Sequence, residues 1–253
     1  MKGGRSRRRV WLVLGMAVVG LVAGAVGYLI YREYLAAFTR THIARTARLR
    51  TWLNDPQAHP EWAIRAGERC VGAPFVMPTD GYIGYLWDDS FRIGHRHQGI
   101  DIFGGRAVDR TPVVAAVSGY LTRRPDWKAS VIVRVPEDPL QPGRQIWTYY
   151  THMANPDGAS YIAEDFPPGT EEVFVEAGTL LGYQGNYSGT PGNPTGVHLH
   201  FSVVLDDGQG GFRNELEIRN TLDPSPYLGL PLNAKESLNA KETGGEAPGC
   251  GTS

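Results

Sequence analysis

Apolar positions fall into three successive patterns along the chain of 253 residues. Residues 10–31 form an uncharged apolar run, long enough as a helix to cross the ~30 Å hydrocarbon layer of a membrane. Over 32–53 the pattern becomes that of an amphipathic helix, with Tyr34, Leu35, Phe38, His42, Leu49 and Leu53 recurring at three- and four-residue intervals without Gly or Pro. Asn54-Asp55-Pro56 stops it. From Cys70 onward short apolar, β-branched segments alternate with turn residues, and they predict strands over 82–87, 100–103, 113–120, 131–135, 146–150, 173–175, 180–183 and 197–205. Strands at this spacing with no helical pattern between them predict a mainly β domain, an antiparallel β-sheet or sandwich, behind an N-terminal transmembrane helix and a membrane-proximal helix. The expected organisation is a cytoplasmic basic tail (1–9), a membrane anchor (10–31), a helical stalk (32–69), a catalytic domain (70–230) and a flexible tail (231–253).

Charge sets the orientation of the anchor. Lys2, Arg5, Arg7, Arg8 and Arg9 precede the apolar run and predict that the N-terminus stays in the cytoplasm, with everything after Tyr31 extracytoplasmic. Ala23-Gly24-Ala25 resembles a signal-peptidase site, but the apolar run continues past it to Ile30, which favours an uncleaved single-pass anchor over a secreted product. Both readings export the domain. A net charge of −1 argues against a nucleic-acid partner. Cys70 and Cys250 are the only cysteines, and in an exported protein they are candidates for a disulfide that brackets the domain. His42 and His59 read as solvated bystanders. Loops 136–144 and 155–170 are candidate rims of a cleft.

The candidate chemistry lies in histidines. In Val197-His198-Leu199-His200-Phe201 a strand's period of two puts both histidines on one face and the apolar residues on the other. In His95-Arg96-His97-Gln98-Gly99-Ile100-Asp101, residues 97 and 101 would be about 13 Å apart on an extended strand, so sharing one ion requires a bend, which Gly99 permits. His97, Asp101 and one of His198 or His200 then supply three ligands, the count of a catalytic zinc site with an open fourth position. The remaining same-face histidine is a neighbour able to act as a base or donor. His95 is a candidate substrate contact. His152, at the end of an apolar run, taken alone reads as a structural residue.

The ordered set of segments resembles the lysostaphin-like (LytM-type) zinc endopeptidases that cut peptidoglycan. His97-Gln98-Gly99-Ile100-Asp101 is similar to the family's His-x-x-x-Asp, Tyr150-Thr151-His152-Met153 to its Tyr-x-His-Leu, and His198-Leu199-His200 to its His-x-His. The glycine-rich run from Thr179 to Gly196 and the segment Asp223-Pro224 to Leu228 also match in order. The resemblance implies one Zn2+ held by His97, Asp101 and His200, with His152 and His198 as unliganded catalytic residues, Tyr150 near the substrate, and peptidoglycan peptides as the partner. A noncatalytic, wall-binding or hydrolase-activating member is the alternative; such members usually lack ligands, and here all five positions are filled. A cupin-like barrel also uses His-x-His, but wants a Glu where Val204 and Leu205 stand. Two stretches depart from the family: 119–148, carrying Arg123, Arg124 and Trp127, and the extended loop 157–170.

Overall fold

The computed structural model describes residues 4–89 and 95–230. Gly94, the expected tail and Cys250 lie outside the described residues, as does the side chain of His42. The chain divides into two compact units, Met1–Ala44 and Arg45–Ser253.

The first unit is the greater part of α1 (Gly4–Asn54), an α-helix that no proline interrupts. Within it Leu14–Glu33 has a mean hydropathy of 2.0, long and apolar enough to cross a membrane, and each of its side chains is exposed. The helix ends where expected, followed by two short 3-10 turns, Pro56–Ala58 and Pro60–Trp62.

Among the described residues the second unit holds ten strands: β1 (Tyr82–Tyr85), β2 (Ile100–Phe103), β3 (Pro112–Val114), β4 (Gly119–Thr122), β5 (Val131–Val135), β6 (Ile146–Thr151), β7 (Val173–Val175), β8 (Leu180–Tyr183), β9 (Leu199–Leu205) and β10 (Thr221–Leu222). Seven run in the order β1-β2-β9-β6-β5-β4-β7, with β10 added beside β9 and all neighbours antiparallel. β3 and β8 form a separate two-stranded sheet. The mainly antiparallel architecture is thus the one predicted by the strand spacing.

Three features differ from the sequence reading. The single strand expected over 113–120 is two strands in two sheets, because the chain crosses between them at Ala115-Ala116, both fully buried. The amides of this crossing are satisfied by the Thr179 carbonyl (2.9 Å) and the Tyr150 hydroxyl (2.8 Å). The compact unit begins at Arg45 rather than Cys70, since Leu49 and Trp52 are buried in one apolar cluster with Tyr82 and Phe103. His59 does not stand free in solvent; its ring stacks on Trp62 at 3.9 Å.

β9 lies at the centre, paired with β2 and β6. Leu199, Phe201 and Val203 face the main core together with Ile100 and Ile102 of β2 and Val131 and Val133 of β5. Each such fully buried side chain contributes about 1.5–3 kcal/mol relative to exposure. The opposite face of the same strands carries the polar residues. Asp101, His200 and Thr151 stand abreast there, on β2, β9 and β6. Farther along this face Ile132, Trp147, Tyr149 and Val204 form a second apolar cluster with Trp127 and Phe212.

Cys70 is buried and disulfide-bonded. Of the two loops expected to rim a cleft, 136–144 joins β5 to β6 at the end where Ile146 faces Leu205, away from the Thr151–His200 end, so it does not border the histidines; both loops are pinned from within. Fully buried Asp138 accepts from Arg144 Nε (2.6 Å), the Tyr227 hydroxyl (2.9 Å) and the Leu140 amide (2.8 Å), and so closes loop 136–144. Buried Arg123 donates to the carbonyls of Phe166 (2.7 Å) and Trp127 (3.2 Å) and to Ser160 Oγ (3.0 Å), holding the extended loop after His152.

Candidate metal centre

His200 and Asp101 reach one place because β2 and β9 are in register, Asp101 opposite His200. The strand period sends both side chains off the core face while Leu199 and Phe201 fill the core. His97 arrives from the loop before β2. Its approach depends on Gly99, though for a reason other than turn-making. The backbone of Gly99 lies so close to β9 that an added Cβ would stand 2.2 Å from the Phe201 carbonyl oxygen and 2.6 Å from Ser202 Oγ. His97 Nε2 then sits 3.0 Å from Asp101 Oδ1 and 3.0 Å from His200 Nδ1, and His200 Nδ1 is 2.8 Å from Asp101 Oδ1. The ligand atoms of these three residues all lie within 4.8 Å of one another.

The far side of each imidazole is occupied by the protein. His97 Nδ1 donates to the Leu86 carbonyl (2.9 Å), His198 Nδ1 to the Gly196 carbonyl (2.7 Å) and His152 Nδ1 to the Tyr187 carbonyl (2.6 Å), while His200 Nε2 pairs with Ser202 Oγ (2.9 Å). A carbonyl only accepts, so these bonds fix the tautomer and leave Nε2 of His97, His152 and His198 as lone-pair donors to a ligand. Two ring nitrogens and a carboxylate oxygen converging at hydrogen-bond distance need positive charge among them, which a proton or a metal cation supplies. Two imidazoles and one carboxylate suit a catalytic zinc site that keeps a fourth position open. The residues present fit the metal.

His152 and His198 stand beside this group. Their rings are 4.5 Å apart, His152 is 6.1 Å from the His200 ring, and His198 Nε2 is 3.6 Å from Asp101 Oδ1. His152 leaves β6 with a φ of 74°, in the left-handed region that costs a residue with a side chain roughly 1–2 kcal/mol. The next turn is held by Gly185, where a Cβ would meet the Ala154 and His152 carbonyl oxygens at 2.2 and 2.5 Å.

Burial dominates the electrostatics. It pushes the imidazolium form of His198 down to a pKa of about 4, the nearby Asp101 charge opposing only in part. His152 is lowered by burial and by the neighbouring His200, and His200 by burial despite its bond to Asp101. Burial also disfavours the charged forms of Asp101 and His97, but here the partners win. His97 and His198, with hydrogen bonds from His200 and His97, hold the Asp101 carboxyl well below the usual range, and Asp101 in turn raises His97. The result is an ionised carboxylate with His152, His198 and His200 held toward the neutral form, while His97 keeps its proton more tightly and must release it to a divalent cation.

Two candidate substrate contacts fall in different places. His95 is half-buried, its ring 6.5 Å from that of His97. Tyr150 faces the main core opposite Phe201 and is fully buried, its hydroxyl donating to Thr148 Oγ1 (3.1 Å) and accepting from the Ala116 amide. It offers a substrate no surface. The strand period that brings His200 to the cleft turns Tyr150 away. Ser202, fully buried beneath His200, is a site residue that the same period reveals two places along β9. Leu86, Gly196 and Tyr187 act through backbone carbonyls and leave no signal in residue type.

No family model matches the sequence, and no curated protein matches it. Among solved structures the chain is similar to the catalytic domain of the antimicrobial peptidase lysostaphin from Staphylococcus simulans, at 22% identity and a TM-score of 0.37 over 59% of this chain and 90% of that one. A second structure of that peptidase matches at 19% identity and a TM-score of 0.38, over 65% of this chain and 54% of the other. To these is added a putative peptidase M23 from Pseudomonas aeruginosa, at 20% identity and a TM-score of 0.38 over 72% of this chain and 61% of that one.

Proposed function

We propose that the chain is an exported zinc-dependent endopeptidase that hydrolyses peptide bonds in peptidoglycan stems or cross-links. The observation that carries this reading is the convergence of the ligand atoms of His97, Asp101 and His200 within 4.8 Å of one another, with two imidazoles fixed as Nδ1–H tautomers beside them. The sequence resemblance to lysostaphin-like endopeptidases supports the substrate class, and the apolar N-terminal helix supports action outside the cytoplasm.

Zinc would supply Lewis acidity, making water nucleophilic near neutral pH and polarising the scissile carbonyl. The chain's own residues do the rest. His97, Asp101 and His200 would hold the metal. Ser202 and the Leu86 carbonyl keep the His200 and His97 rings aimed. His152 and His198, fixed as Nδ1–H tautomers, present the Nε2 lone pair to the cleft, where either can accept a proton from water; only the imidazolium so formed carries an Nε2–H able to steady negative charge developing on the carbonyl oxygen.

Incubating the full chain in detergent with purified peptidoglycan, with and without chelator, and identifying new termini by mass spectrometry tests the reading. Chelator-sensitive release of peptides is expected; no new terminus across several wall chemistries would sink it. His152→Ala and His198→Ala are expected to keep zinc and lose turnover by about a hundredfold or more. Undiminished cutting would remove those two residues from the mechanism.

The pH profile follows from the electrostatics. A base works only when unprotonated, and burial lowers the pH at which His152 and His198 take up a proton. With zinc in excess, kcat/KM is therefore expected to hold as pH falls through the ordinary imidazole value of 6.5 and to drop only below it. With zinc limiting, the acid loss moves to higher pH, because His97 holds its proton more tightly than usual and must release it to the metal. A profile unaffected by zinc concentration would contradict this.

A further inference from the structure

We propose that the last turns of α1, from Arg45 to Trp52, are part of the support of the metal centre, and that Arg45 is a positioning residue for His97. This rests on the zinc reading above.

His97 belongs to no strand. It is held by the turn Leu86–Asp89 through three bonds: its Nδ1 donates to the Leu86 carbonyl (2.9 Å), its amide donates to the Asp89 carbonyl (2.8 Å), and its own carbonyl accepts from the Asp88 amide (2.8 Å). The turn has a weak point, since Asp88 takes a φ of 64° with a side chain attached. Two ion pairs anchor it: Asp88 with the exposed Arg96, and, in buried surroundings, the Asp89 carboxylate, which accepts from the Leu86 amide (3.4 Å), with Arg45 on α1. The Arg45 and Asp89 side chains are largely buried, 16% and 12% exposed. Taking the guanidinium away from a carboxylate in such surroundings is destabilising well beyond the loss of a surface pair. The displacement would be felt at Leu86, and through its carbonyl at the His97 ring.

A second route from the same helix reaches His198. Leu49 and Trp52 are buried against Tyr82 of β1 and Phe103 of β2. Phe103 in turn stacks on the His198 ring, centroids 5.0 Å apart and planes at 22°. One helix end thus buttresses a metal-holding histidine by charge and a neighbouring histidine by packing. The helix is also tied down by Arg106, which donates to the Asn54 side chain (2.7 Å) and the Leu53 carbonyl (3.3 Å), but nothing in that tie touches His97.

The test measures zinc affinity of the full chain in detergent by competition with a chromophoric chelator, for wild type, Arg45→Met, Arg45→Lys, Asp89→Asn and Arg45→Met/Asp89→Asn. Arg45→Met is expected to weaken zinc binding by about 10- to 100-fold, the range for outer partners of metal ligands. Arg45→Lys should recover part of it, as a point charge replacing a fork. The double variant should lose no more than the larger single loss. The visible spectrum of the Co2+-substituted protein should shift in Arg45→Met, reporting altered ligand geometry. A merely structural role would instead lower the melting temperature of the metal-free protein and leave zinc affinity and the Co2+ spectrum unchanged, the behaviour expected of Arg106→Ala. Should Arg45→Met not fold, Asp89→Asn breaks the same pair and leaves the helix surface intact. Wild-type zinc affinity in both Arg45→Met and Asp89→Asn would overturn the inference while leaving the peptidase reading in place. A wild-type chain that binds no zinc would overturn both.

Discussion

Asp101→Ala is expected to abolish zinc retention and peptidoglycan cutting together. Asp101 supplies the only negative charge among the converging ligands and touches both others, at 3.0 Å from His97 and 2.8 Å from His200. Without it a divalent cation would face two neutral imidazoles in a buried setting, with no compensating charge. If a four-ligand zinc site is worth about 10–16 kcal/mol, one ligand corresponds to about 3 kcal/mol, or at least a hundredfold in affinity. Metal content after dialysis against a chelator checks this directly. An Asp101→Ala protein that keeps stoichiometric zinc would overturn the ligand assignment. The comparison with His152→Ala is the informative one, because that variant is expected to lose turnover while keeping its metal.

Gly99→Ala should be among the most damaging single-methyl changes in the domain. The added carbon would lie 2.2 Å from the Phe201 oxygen and 2.9 Å from its carbonyl carbon, both backbone atoms of the central strand. A flexible side chain could swing aside; a strand paired on both edges does not. β2 must therefore move away from β9, and the pair it separates is Asp101 and His200. The strain is expected to cost at least ~3 kcal/mol, the upper end for overpacking, and to lower the melting temperature by about 6–12 °C. Zinc affinity should fall with it. Gly196→Ala is the control, since its Cβ would meet only the Phe103 ring edge, at 3.6 Å. Equal stability of the two variants would show that the close approach at Gly99 carries no weight.

Much of this was legible because side-chain periodicity is local. The two faces of β9 can be read from six residues, and with them the delivery of His198 and His200 away from the core. The single strand expected over 113–120 is two strands for the converse reason. Val113-Val114-Ala115-Ala116-Val117 has the apolar content of one strand, and only tertiary packing shows that the chain changes sheets at the two alanines. Tyr150 was placed near the substrate by its neighbours in sequence, whereas its face of β6 is set by pairing with Phe201. The start of the compact unit at Arg45 was hidden because Leu49 and Trp52 belong to a helical pattern that begins far upstream, and a helix does not announce which of its turns is covered by a sheet. The carbonyls that lock the histidine tautomers are invisible in principle, since every residue carries one.

The geometry of β9 also bears on how freely this chain can change over time. Deleting or inserting one residue between Leu199 and Leu205 would exchange the faces of everything beyond it, bringing Phe201 or Val203 to the ligand side and driving a histidine or Ser202 into the core. Both metal support and core packing would fail in one step, with no neutral intermediate. Loops such as 136–144 connect strands whose pairing does not depend on their length, and they can be lengthened or shortened separately. Variation among descendants of this sequence should therefore collect as length changes in such connecting loops and as substitutions, but not indels, along the seven residues of the central strand.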